Sequence, residues 1–152
     1  MDALSYAANT VLDEDTDFII DPVPANDDAA DHFIKHNGVM IAGHHIIIDL
    51  FGAKHLDNNE RIQAAMKKCV KECGATLLHI HTHVFEPNGG ISGVAVLAES
   101  HISTHTWPER GYAAFDVFMC GDAQPKKAVK ILAQAFEAAD VKVTELARGE
   151  GA

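Results

Sequence analysis

The rhythm of apolar and polar positions changes several times along the chain, and each rhythm predicts an element. Residues 39–51 are nearly all apolar, with β-branched Ile46, Ile47 and Ile48 in succession, which predicts a buried strand. Residues 57–73 open on the polar Asp57-Asn58-Asn59. Ile62, Ala65, Met66, Cys69, Val70 and Cys73 then recur at helical spacing, and Gly74 stops the helix. Residues 76–85 predict a strand closed by the turn Pro87-Asn88-Gly89-Gly90. Residues 92–98 and 112–120 predict two more strands. Asp122 and Pro125 open a second helix through about Ala138, and residues 141–146 predict a short last strand. The order β-α-β-β-β-α-β clusters strands between two helices. It predicts an α/β (α+β) two-layer sandwich, a mainly antiparallel sheet with helices on one face.

Charge divides the chain. Up to His36 there are nine acidic residues and one base, Lys35, so most of the net charge of −10 sits there. With Pro22 and Pro24, residues 1–37 read as an acidic N-terminal extension, partly disordered, ahead of a single domain over 38–152. The near-neutral remainder offers no basic surface for nucleic acid. No apolar run approaches the ~20 residues of a membrane span, and the N-terminus lacks the pattern of a signal peptide. The three cysteines, Cys69, Cys73 and Cys120, are an odd number without a secretion signal, which points to reduced thiols in the cytoplasm.

The chemistry concentrates between Gly90 and Glu109. An apolar run ends abruptly in Glu99-Ser100-His101, followed within ten residues by His105, a group of hydroxyls, Trp107 and Glu109. Such a polar cluster after a buried strand is costly unless it is satisfied or functional. Taken locally, Ser100 could begin a turn, His101 and His105 could be satisfied polar residues near the core, and Trp107-Pro108 could be a packing corner.

Glu99-Ser100-His101, His105-Thr106-Trp107-Pro108-Glu109, Asp116 and Cys120-Gly121 together resemble the signature of the bacterial, pyruvoyl-dependent S-adenosylmethionine decarboxylases. Gly43-His44-His45 with Asp49-Leu50-Phe51-Gly52 resembles the first strand of that family, and Phe85-Glu86-Pro87 the approach to its second motif. The resemblance runs from about Gly38 to Glu137. It implies a proenzyme that cuts itself between Glu99 and Ser100 and so gives chains 1–99 and 100–152. Ser100 then becomes a covalent pyruvoyl group, an electron sink that forms a Schiff base with the substrate amine. The resemblance makes His105 the proton acceptor of processing and Ser92 its hydrogen-bonding support. It makes Cys120 the proton donor of decarboxylation, Phe85 the adenine-stacking ring and Glu109 the ligand of the ribose hydroxyls. It further implies S-adenosylmethionine as substrate, the aminopropyl donor for spermidine synthesis as product, and a homodimer whose protomers both line each site.

Taken one by one the same residues have plainer readings. Ser92 is a small residue beginning a strand, Cys120 a buried small hydrophobe, Phe85 a core ring and Glu109 a solvated turn residue. Two functional alternatives compete. The same pyruvoyl chemistry could act on ornithine or arginine, although neither has an adenine or ribose for Phe85 and Glu109. A histidine-rich metal site is the second. His79, His81 and His83 alternate on one strand face and, with His44 or His45, could hold a divalent ion, but no established zinc spacing is present.

Overall fold

The computed structural model describes residues 32–152, so the expected acidic extension lies outside the described residues up to position 31. A two-stranded hairpin comes first, β1 (Ile34–His36) against β2 (Val39–Ile41). It is followed by β3 (Gly43–Phe51), α1 (Asn59–Cys73), β4 (Leu77–Val84), β5 (Ile91–Leu97), β6 (Ser100–Trp107), β7 (Tyr112–Cys120), α2 (Lys127–Ala135) and β8 (Asp140–Arg148). The last six strands form one sheet in the order β4-β5-β6-β7-β3-β8, and every neighbouring pair is antiparallel.

Alternation decides which face of the sheet is buried. Ile46, Ile48 and Leu50 of β3 point the same way as Phe115, Val117 and Met119 of β7, Ile102 of β6, and Ala95 and Leu97 of β5. On that face they meet Ile62, Met66, Cys69, Val70 and Cys73 of α1, and Ala128 and Leu132 of α2, in a single core. Both helices therefore lie on one side of an antiparallel sheet, the two-layer α+β sandwich expected from the pattern. Among the described residues no helix lies over the other face. That open face carries His45, Ile47 and Asp49, then Tyr112, Asp116, Phe118 and Cys120, then His101, Ser103, His105 and Trp107.

Local chemistry sets the helix bounds. The Asn58 side chain accepts from Arg61 N–H at 3.0 Å and caps α1. Gly74 ends it with φ +78°, a conformation that costs glycine nothing. Pro125 and the bonds of the turn at Gln124–Lys127 delay α2 until Lys127, two residues later than the sequence suggests.

The structure differs from the expected order in two places. The apolar run at 39–51 is broken at Ala42, where the chain leaves the small hairpin and enters the large sheet. The segment after Ser100, expected to be a polar cluster, is a full strand. Its inward residues are Ile102, Thr104 and Thr106, and two of these three are polar. Thr106 is satisfied: its hydroxyl accepts from Ile91 N–H at 2.9 Å and donates to Leu56 C=O at 2.8 Å.

Phe115 is fully buried and stacks on Phe136 with ring centroids 5.8 Å apart. Phe115→Ala is expected to destabilise the fold by about 3–5 kcal/mol, the cost of lost burial plus a cavity. Urea unfolding of the purified protein measures this, and a loss below about 1 kcal/mol would show that the core does not pack on this ring.

Candidate functional site

β5 and β6 are joined by only two residues, Ala98 and Glu99, because Leu97 pairs directly with Ser100. A connection this tight forces special backbone angles, and Glu99 takes φ +56°. That is the left-handed region, which costs a residue with a side chain roughly 1–2 kcal/mol and normally goes to glycine. The peptide between Glu99 and Ser100 therefore leaves a strained residue at the end of the sheet.

β7 brings Cys120 alongside. Its backbone N–H donates to Ser100 Oγ at 3.2 Å, and its thiol donates to the Glu99 carbonyl oxygen at 3.0 Å. One residue thus contacts both the Ser100 hydroxyl and the Glu99 carbonyl. Burial pushes the Cys120 thiol above the ordinary range, the Glu99 carboxylate adds to the rise, and contact with Ser100 offsets part of it. The thiol therefore keeps its proton at neutral pH. Gly43 of β3 makes room for it: a Cβ there would sit 2.4 Å from the Met119 carbonyl and 3.1 Å from Cys120 Sγ.

Ser100 and Cys120 open onto a cleft of about 240 Å³ walled by His32, Ala75, Thr76, Ala98 and Asp122. On the open face, Ser100 also borders a groove with Glu99, His101, Phe118 and Arg148. Behind Phe118, His45 Nε2–H donates to Asp116 at 3.0 Å, and Arg148 lies 3.4 Å from His45 Nδ1. Burial lowers the His101 pKa, and His45 lowers it further.

The remaining expected residues gather elsewhere. Ser92 and His105 are direct cross-strand partners, and Ser92 Oγ and His105 Nδ1 share a hydrogen bond at 2.8 Å. They line a second cleft, of about 580 Å³, with Phe85, Asn88 and Trp107. Phe85 is half-exposed and meets His83 edge-on at 4.6 Å. Glu109 sits in the single helical turn Pro108–Arg110 after β6, where Asn88, a wall of the same cleft, donates to its carboxylate at 3.5 Å. Five residues of β6 separate His105 from Ser100, about 17 Å at the rise of an extended strand. Within one chain the structure brings Ser100, Glu99 and Cys120 together, and separately Ser92, His105, Phe85 and Glu109. It does not bring the two groups to each other.

The metal-site alternative is corrected by the sheet order. His79, His81 and His83 do share the outer face of β4, as their alternation requires, and all three are exposed. β3, which carries His44 and His45, is four strands away, about 19 Å at the usual strand spacing. Among the described residues no three His, Cys, Asp or Glu side chains are grouped to hold a metal. The sequence reading missed His32 and Arg148. Each reaches the Ser100 end only through its position beside β7 or β3, and neither has a local sequence signal.

The chain belongs to the S-adenosylmethionine decarboxylase family, whose sequence model matches residues 44–149. It is 40% identical over 108 residues to an S-adenosylmethionine decarboxylase proenzyme of Thermomicrobium roseum, across 70% of this chain and 93% of that one. It is 46% identical over 110 residues to the proenzyme of the same name from Methanococcus vannielii, across 70% of this chain and 89% of that one. Its fold matches the crystal structure of the adenosylmethionine decarboxylase from Aquifex aeolicus with a TM-score of 0.66 and 34% identity. That match covers 72% of this chain and 92% of the other. Among the described residues no helix is long and apolar enough to cross a membrane.

The raised pKa of Cys120 has a direct consequence. In a Ser100→Ala chain, alkylation of Cys120 by iodoacetamide is expected to rise with pH along a curve whose midpoint lies above the ~8.5 of a free thiol. Peptide mass mapping separates Cys120 from the buried Cys69 and Cys73. A midpoint at or below 8 would contradict a protonated Cys120 (~8.5 being the unperturbed value).

Proposed function

We propose that this protein is a pyruvoyl-dependent S-adenosylmethionine decarboxylase that makes its own cofactor by cutting between Glu99 and Ser100. The observation that carries the reading is the double contact of Cys120, its N–H on Ser100 Oγ and its thiol on the Glu99 carbonyl. The Ser100 hydroxyl attacks that carbonyl, and the amide nitrogen leaves as the ester forms. Loss of the Ser100 Cα proton expels the first chain as the main-chain carboxylate of residue 99, leaving a dehydroalanine that water converts to a pyruvoyl group with release of ammonia. Strain at Glu99 favours the first step, because breaking the peptide frees its backbone.

The residues beside Ser100 suit the group it would become. The cleft is open enough to admit an amine, and the protonated thiol of Cys120 stands at its wall. The pyruvoyl group supplies an electron sink for the loss of carbon dioxide. Cys120 then holds the proton that the product carbon takes up. Phe85 offers a half-exposed ring to the adenine, and Glu109 a carboxylate able to accept both ribose hydroxyls. Ornithine and arginine would use neither. The product is the aminopropyl donor for spermidine synthesis, made in the cytoplasm, where Cys69, Cys73 and Cys120 stay reduced.

The reading includes a homodimer. Ser92, His105, Phe85 and Glu109 lie too far from Ser100 to serve it in their own chain. A two-fold partner stacked on the open face would bring its copy of that cluster over Ser100, and isologous pairing does this twice. The same face exposes apolar surface at Phe51, Val96, Trp107 and Leu146, with Phe51 and Trp107 both stacked on Tyr112. His105 would then take the Ser100 Cα proton of its neighbour, with Ser92 fixing the imidazole.

The test is denaturing intact mass combined with carbon dioxide release. Two chains dividing at Glu99/Ser100, the second blocked to N-terminal sequencing and reactive to carbonyl reagents, are expected. Ser100→Ala is expected to stay a single chain without activity. Release from carboxyl-labelled S-adenosylmethionine, and none from arginine or ornithine, is expected of the cut protein. Release from a basic amino acid alone would overturn the substrate.

A further inference from the structure

The family match begins at residue 44, yet a residue well before it reaches the scissile peptide. His32 lies just ahead of β1. Its carbonyl accepts from Gly121 N–H at 2.9 Å, the amide next to Cys120. Its imidazole Nδ1–H donates to the Glu99 carboxylate, and both side chains are half-exposed. The ring also forms part of the wall of the cleft that holds Ser100 and Cys120. The backbone bond fixes His32 to the end of β7, and the side chain spans from there to the end of β5–β6. These are the two strand ends that present Cys120 and the Glu99–Ser100 peptide to each other.

We propose that His32 is a positioning residue for self-cleavage, holding the Glu99 side chain so that the strained peptide stays facing Cys120. This rests on the reading of Glu99–Ser100 as the cleavage site. The two-residue turn forces φ of +56° on Glu99, an angle that glycine would adopt freely and that a residue with a side chain holds only at a cost. The carbonyl of Glu99 is held by the Cys120 thiol, and its carboxylate is held by His32. The turn sets the backbone, and these two contacts set where the carbonyl and the side chain of Glu99 face. His32 thus lies ahead of the family match and still reaches the cleavage site.

The test follows cleavage of freshly synthesised full-length chain over time on denaturing gels, in the parent, His32→Ala, His32→Gln, Glu99→Gln and the double variant His32→Ala/Glu99→Gln. His32→Ala is expected to slow cleavage about tenfold, the scale of a modest loss of near-attack alignment. His32→Gln, which keeps a donor, is expected to recover most of the rate. The double variant is expected to be no slower than the slower single one, since the two side chains act through one contact. Thermal midpoints measured in the uncut Ser100→Ala background are expected to be the same with and without His32→Ala, because the backbone bond to Gly121 remains. Parent-like cleavage by His32→Ala would overturn the inference. So would multiplicative slowing in the double variant, or a lowered midpoint with no rescue by glutamine. A parent chain that never cuts would instead overturn the proposed function, and this inference with it.

Discussion

Everything at the site depends on one short connection, the two residues that turn β5 into β6. Because Leu97 pairs with Ser100, there is no slack in which Glu99 could relax, and its left-handed backbone is the consequence. The pairing is in turn enforced by burial. Ala95, Leu97 and Ile102 must all face the helices, and a slip of one residue would turn every one of them to the opposite face. The hydrophobic layer of the fold thus holds the reactive peptide in place. Cys120 needs no loop of its own to meet that peptide, since it is the last residue of the neighbouring strand.

The same register explains why one chain holds half of each proposed site. Ser92 faces His105, and Ser100 faces Leu97, at opposite ends of the same pair of strands. No side-chain rotation closes a gap of about five strand residues, roughly 17 Å. A sheet with one face covered by helices and the other free can close it by pairing with a copy of itself. The aromatic ladder Phe51–Tyr112–Trp107 and the His45–Asp116 pair both lie on that free face. Stacked rings suit a surface that loses its water on pairing.

Much of the fold was legible because its apolar rhythm is regular. The spacing of Ile62, Met66, Cys69 and Cys73 fixed α1 to within two residues, and the strands at β4, β5, β7 and β8 were each foreseen within two. β6 was not, because threonines occupy two of its three inward positions and hide the alternation. The hairpin of β1 and β2 was hidden because β1 has only three residues and the apolar β2 runs on through Ala42 into β3. The chemistry-bearing residues could be named from their motif, but their grouping could not. The resemblance assigned Ser100 and His105 to one processing reaction, and within one chain an extended strand carries them apart. His32 carried no signal at all, since its importance comes only from the point at which the chain passes Gly121.

The most direct test of the account is complementation between two inactive chains. Ser100→Ala lacks the group that is cut, and His105→Ala keeps Ser100 but lacks the proposed base. Co-expressed with different tags, they should form mixed dimers in which the His105→Ala chain, offered His105 by its partner, is cut at Glu99/Ser100 and releases carbon dioxide from S-adenosylmethionine. Each expressed alone should remain whole. If the His105→Ala chain stays uncut in purified mixed dimers, or if it cuts at the parent rate by itself, the site is not shared between protomers in this way.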